Sequence, residues 1–219
     1  MDLLEFEKRF SAVLGDKYKT ADLDRFNRCL IKEKADVSFL RSIILEKQIY
    51  HRTFFQVSLA ELTTIEEKFE FIELHFDKLQ DWWHVDQLSQ FVDKKLCLDF
   101  ALPKAVSYVK HPLPFARRWG YVLFMPSLVK LPDAATQIFP LFHNDDEYYV
   151  QMAEAWLLSY LAVYEPEKTF SFLEECDLSY NITGKAIQKI CDSFRIEKQW
   201  KEKFKTLRNL KFRASQKQK

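Results

Sequence analysis

Glycine is what most constrains this chain. Only three occur among its 219 residues, Gly15, Gly120 and Gly184, where average usage would supply about 15. Phosphate-cradling loops need clustered glycine, and these three lie far apart. Folds of many short strands need glycine-rich tight turns. A chain with so few turns is expected to be built from helices.

Helical periodicity recurs along the sequence. Leu4, Phe6, Phe10, Val13 and Leu14 form one apolar stripe, and Val37, Leu40, Ile43, Ile44 and Ile49 another. Phe54, Phe55, Val57 and Leu59 begin a third. Thr64 followed by Glu67 reads as a capping box for a helix carrying Ile65, Phe69, Ile72, Leu74 and Phe76. A segment from Trp82 to about Phe100 follows. Seven prolines then punctuate the chain, mostly where helices should start or stop. They bound segments at 103–110, 114–125, 132–142, 147–164, 167–175, 182–193 and 198–213. Helix pairs recurring every 30 to 45 residues predict an all-α fold, an α-solenoid of HEAT-like repeats in one curved domain. A helical bundle of other topology would share the pattern.

Charge is distributed unevenly. Residues 195–219 hold ten Lys/Arg against two Asp/Glu, a net of +8, leaving −7 on residues 1–194 of a chain whose total is +1. The expected organisation is a helical-repeat domain over 1–194 and a basic helix or tail over 195–219, suited to a polyanion or simply solvated. Met1-Asp2-Leu3-Leu4-Glu5 has no apolar run, so no signal peptide is expected. Four cysteines without CxxC spacing suit buried thiols in a reducing cytoplasm. Five histidines show no HExxH or paired spacing, so neither a metal nor another cofactor is expected.

Three places carry candidate chemistry. In Asp81-Trp82-Trp83-His84-Val85-Asp86 the two tryptophans point about 100° apart on a helix. Trp82 lies four residues from Asp86 and Trp83 three, so either can share its face. An indole beside a carboxylate suits a cationic ligand, although a core tryptophan would look the same. The stretch from Leu102 to Leu131 holds Lys104, Lys110, Arg117, Arg118 and Lys130 and no acid. There Arg117-Arg118-Trp119 follows Pro114 into a helix, where phosphates could be held. The third place is Asp145-Asp146-Glu147-Tyr148-Tyr149, a helix start favourable to the macrodipole, running into Trp156, which spacing alone puts in the core.

These blocks, in this order, resemble the DNA alkylation repair family of AlkD-like glycosylases: Trp-Trp-x-Val-Asp, then Arg-Arg after a proline-rich turn, then Asp-Glu-Tyr-Tyr-Val-Gln-x-Ala-x-x-Trp-Leu-Leu. Gly184-Lys185-Ala186-Ile187-Gln188-Lys189-Ile190 resembles the family's closing basic helix, and the likeness covers roughly 50–194. A monomer is expected, and the lack of any 18-residue apolar run predicts no membrane span. The resemblance implies a curved solenoid that holds alkylated double-stranded DNA. It implies excision of cationic 3-methyladenine and 7-methylguanine by N-glycosidic hydrolysis. By the same resemblance Asp86 is the catalytic carboxylate, Trp82 or Trp83 and Trp156 pack on the lesion's sugar, and Arg118, with Arg117 as the neighbouring choice, contacts DNA. Lys104, Lys185 and Lys189 would extend that contact. Two departures imply weak or lost excision. Only His84 separates the tryptophan pair from Val85-Asp86, and the leader before Tyr50 is shorter by about one helix. The alternative is a non-enzymatic α-solenoid that binds DNA or protein in its cleft.

Overall fold

The glycine shortage is matched by a backbone that is helical throughout. The structure is a computed structural model that describes residues 1–15, 17–92 and 96–217. Among these, twelve α-helices are joined by short connections and 3-10 turns, with no strand. The chain falls into two compact units, Met1–Asp93 and Lys94–Lys219.

The first unit holds α1 (Leu3–Leu14), α2 (Thr20–Lys32), α3 (His51–Glu61), α4 (Ile65–Leu74) and the single turn α5 (Trp82–Asp86). Helix α1 packs on α2, and α2 on α3. Aromatic rings fill the space between them. Phe6 meets Tyr50 edge-on at 5.1 Å, and Phe10 meets Tyr50 at 5.0 Å and Phe26 at 5.6 Å. Edge-to-face geometry sets the positive ring edge against the negative face. Gly15 ends α1 with φ +61°, a conformation that costs a residue with a Cβ. The capping box forms as expected, with the Glu67 N–H donating to Thr64 Oγ1 at 3.2 Å and Glu67 Oε2 accepting from the Thr64 N–H at 3.0 Å.

The second unit holds α6 (Leu98–Tyr108), α7 (Pro114–Val122), α8 (Ala134–Ile138), α9 (Tyr148–Tyr164), α10 (Pro166–Glu175), α11 (Tyr180–Asp192) and α12 (Lys198–Lys217). Each helix packs on a near neighbour in sequence: α6 on α7, α7 on α9, α9 on α10 and α11, and α11 on α12. That is the local contact pattern of an α-solenoid of helical repeats. The core between α9, α10, α11 and α12 is aliphatic, built from Leu158, Leu173, Ile182, Ile187 and Ile190, and Phe204 and Leu207 of α12 enter it. From Lys198 the basic segment therefore forms a docked helix, its last two residues lying outside those described.

Two elements differ from the sequence reading. The stripe from Val37 to Ile49 buries Val37, Leu40 and Ile44 but forms 3-10 turns, Ser38–Ser42 and Gln48–Tyr50, instead of an α-helix. Its isoleucines are stiff at χ1 and weak helix formers. Pro103 does not open a helix; it is the sixth residue of α6. The amide it lacks would have bonded Asp99 in the first turn, so the loss falls near the helix end. Residues 93–95, within the segment expected from Trp82 to about Phe100, lie outside the described residues.

Candidate functional site

Helix α5 begins where the Asp81 carboxylate accepts the Trp82 N–H at 2.7 Å. Its single turn sends Trp82, Trp83 and Asp86 to one open pocket of about 550 Å³, walled also by Tyr18, Leu23 and Arg52. Trp82 is 46% exposed, so part of its side chain is open to solvent. Trp83 is half-buried and stands edge-on to His84 at 4.1 Å and to His51 at 5.4 Å. Both tryptophans therefore border the pocket, one as an accessible surface and one as a fixed wall.

A network beneath Trp83 holds it in place. The His51 and His84 rings stack at 3.6 Å with 7° between planes. Gln87 Nε2 donates to His51 Nδ1 at 2.7 Å, which leaves His51 Nε2–H to donate to the Lys78 carbonyl at 3.1 Å. The Gln80 N–H donates to His84 Nδ1 at 3.1 Å, so the remaining His84 proton sits on Nε2, which is buried without a partner among the described residues. Burial, then the neighbouring His84, holds His51 down to about 3, and burial holds His84 down to about 4. Two stacked rings could not both be charged, and here neither is.

Arg52 reaches the same pocket from α3. Its guanidinium holds Asp24 in two bonds of 2.7 and 3.1 Å, donates to Gln90 Oε1 at 3.0 Å, and lies 5.0 Å from the Phe91 ring centroid. Sequence reasoning missed Arg52, Asp24 and Gln87, because their partners lie 28 and 36 residues away and no local spacing marks them.

The second unit places the other expected residues. Arg117 and Arg118, neighbours on α7, have different surroundings. Arg117 grips Asp145 through Nε at 2.6 Å and a terminal nitrogen at 3.1 Å, and donates to the carbonyls of His111 and Pro112. The Asp145 side chain is 4% exposed. Burial raises its pKa, but the Arg117 bonds and the Glu147 N–H outweigh that and hold it below the usual carboxylate value. Arg118 is also buried and donates to the Tyr149 carbonyl at 2.6 Å. Trp156 lies two turns along α9 from that carbonyl, about 10 Å away by helix rise. It is half-buried, neither core nor free surface, and meets Tyr160 edge-on at 5.9 Å. Lys104 is half-buried on α6, and Lys185 and Lys189 are exposed on α11.

A buried acid in the second unit escaped sequence reasoning. Glu154, inside α9, is fully buried; one oxygen accepts the His143 N–H at 3.1 Å, and the Tyr121 hydroxyl stands beside the carboxyl group. Burial pushes it up to about 8, so it carries a proton at neutral pH. The adjacent Tyr121 hydroxyl, raised mainly by burial, donates to the Leu141 carbonyl at 3.0 Å.

Among the described residues there is no cluster of three or more potential metal ligands, and no helix is long and apolar enough to cross a membrane. A family model described as DNA alkylation repair enzyme matches residues 32–191. The chain belongs to the DNA alkylation repair enzyme family. The match takes in Trp82, Trp83, Asp86, Arg118, Trp156 and Lys185, and supports DNA as the partner of this repair protein. Most of α2, all of α1 and all of α12 lie outside it. No curated protein and no solved structure gives a significant match.

Proposed function

We propose that this repair-family protein recognises cationic alkylated bases in double-stranded DNA and releases them slowly by N-glycosidic hydrolysis. The observation that carries the proposal is that Trp82, Trp83 and Asp86, all within the stretch matching the family, border one pocket. Trp82 and Trp83 offer ring faces to a sugar turning positive, and the Asp86 carboxylate offers the counter-charge.

In the step proposed, the bond from C1′ to the base nitrogen breaks and its electron pair stays with the base. A 7-methylguanine that entered positively charged leaves neutral, so no acid is needed to protonate it. The sugar becomes an oxocarbenium ion stabilised by Asp86. Water adds to C1′ and gives up a proton, leaving an abasic site. Within the second unit, Arg118, Lys104, Lys185, Lys189 and Trp156 are the residues proposed to contact DNA. Arg52 and Arg117 are already bonded to aspartates, so they contribute little to phosphate neutralisation and the grip on DNA is weak.

The test is release of 7-methylguanine from alkylated duplex with protein in excess. Slow release is expected in the wild type. Asp86→Asn should lower it by about 10² or more while leaving DNA affinity within a few fold. The −7 carried by residues 1–194 favours a second reading, a non-enzymatic helical-repeat protein that holds DNA or protein. Binding with no release, unchanged by Asp86→Asn, would establish that reading over ours.

A further inference from the structure

A second pocket, of about 290 Å³, lies entirely within the second unit, between α9, α11 and α12. Its lining includes two cations, Lys185 and Arg208, two tyrosines, Tyr148 and Tyr180, and the amides of Asn181 and Gln188, with no carboxylate. Tyr148 and Tyr180 are the first residues of α9 and α11. The positive ends of two helix dipoles therefore stand at its edge. The nearest acids in sequence, Asp146 and Glu147, are exposed ahead of α9 and do not line it.

Two details suggest that the pocket is built to receive something. Arg208 is half-buried with its Nε shielded from water, so a guanidinium partly withdrawn from bulk solvent lines the pocket, where a charge-assisted bond to an anion is strong. The Tyr180 ring is held in one place. A Cβ on Gly184 would come within 2.9 Å of it, so only glycine lets the ring lie flat on α11, and Phe212 of α12 backs it at 5.3 Å. Tyr148 by contrast is 59% exposed and can offer a ring face. Fixed donors beside an open aromatic ring match a phosphate ester that carries a flat base.

We propose that this pocket binds one nucleotide unit, its phosphate between Lys185 and Arg208 and its base against Tyr148. The site is completed by α12, which lies outside the family-matched stretch, so the basic C-terminal helix serves as a specific ligand-binding wall. The inference does not require base excision and holds whether or not Asp86 acts. The nucleotide can belong to a nucleic-acid strand or be free, and the volume, near the lower end for small-ligand sites of about 300 Å³, suits a single unit.

The experiment is fluorescence anisotropy of the full chain with a labelled single strand, the same sequence as a duplex, and unlabelled nucleoside monophosphate as competitor. Arg208→Gln and Lys185→Gln should each weaken binding about tenfold, the worth of one charge-assisted contact, and flatten the salt slope by about 1. Tyr148→Ala should weaken it by a similar factor through lost stacking. Arg213→Gln makes the same charge change on an exposed α12 residue outside the pocket and should leave affinity within about twofold. Displacement by the monophosphate identifies a free nucleotide as sufficient; binding of the strand without such displacement identifies the strand. The proposal is overturned if Arg208→Gln and Lys185→Gln bind like wild type, if Arg213→Gln loses as much as they do, or if Tyr148→Ala changes nothing. Far-UV circular dichroism of each variant keeps loss of fold distinct from loss of binding.

Discussion

Removing Arg117 should damage the second unit far more than it damages DNA binding. Arg117→Ala leaves Asp145 in a site where its side chain is 4% exposed. Breaking a buried pair by deleting one partner costs about 3–5 kcal/mol. Asp145 keeps the Glu147 N–H at 2.8 Å and a contact with His143 Nε2 at 3.6 Å, so the charge is not wholly abandoned and the lower end applies. The bonds from Arg117 to the His111 and Pro112 carbonyls are lost too, at about 1 kcal/mol each. The expected loss is about 5 kcal/mol, a large share of the 5–15 typical of a folded chain. Urea unfolding at pH 7, followed by circular dichroism, would measure it as a fall in midpoint. Arg117→Met with Asp145→Leu should recover most of the loss, since an apolar pair of similar volume needs no compensation. In acid the difference shrinks. The native Asp145 pKa lies below its usual 3.8, so its contribution is present above that value and disappears as pH falls through the native pKa. A loss under about 1 kcal/mol, or a double variant no better than the single, would refute the view that this pair is buried and structural.

Other expectations follow from the same geometry. Glu154 keeps its proton up to about 8 in the native state but loses it near 4.5 when unfolded, so stability should fall as pH climbs between those values; Glu154→Gln should remove the slope and gain about 1–3 kcal/mol at pH 8, read from urea midpoints across pH. His51 and His84 stay neutral down to about 3 and 4 while their unfolded forms charge near 6.5. The first unit should therefore be most stable above 6.5 and weaken as pH falls, and His51→Gln should flatten that decline in the same assay. A Cβ on Gly120 would meet Val109 Cγ1 at 2.8 Å and the Val109 backbone N at 3.2 Å, where α6 and α7 touch. Gly120→Ala should lower the melting temperature by the equivalent of about 1–3 kcal/mol.

Much of the helical framework is legible in the sequence because its signals are local. Thr64 and Glu67 are three residues apart and bond each other. Pro114 and Pro166 each take the first position of a helix, where a missing N–H costs nothing. The Trp82–Asp86 juxtaposition is equally local, four residues on one turn, and both border the same pocket. The interior electrostatics escape such reading. Periodicity sorts side chains by polarity, so a charge that pairs across helices is assigned to the surface. Arg52 with Asp24, Arg117 with Asp145, and Glu154 beneath His143 are all of this kind.

The same blindness governs the choice between Arg117 and Arg118, and the character of the C-terminal helix. Adjacent residues on α7 point about 100° apart, and the position of Asp145, 28 residues on, sets the bidentate pairing of Arg117. In α12 a net charge of +8 over residues 195–219 overshadows two apolar side chains, Phe204 and Leu207, that anchor the helix in the core. Once anchored there, the helix has a defined face toward α9 and α11, and Arg208, one residue beyond Leu207, is carried to the pocket edge. A solvated tail would spread its charge over any polyanion. A docked helix fixes the position of each cation, and Arg208 and Arg213, equal in charge and five residues apart, thereby acquire unequal roles.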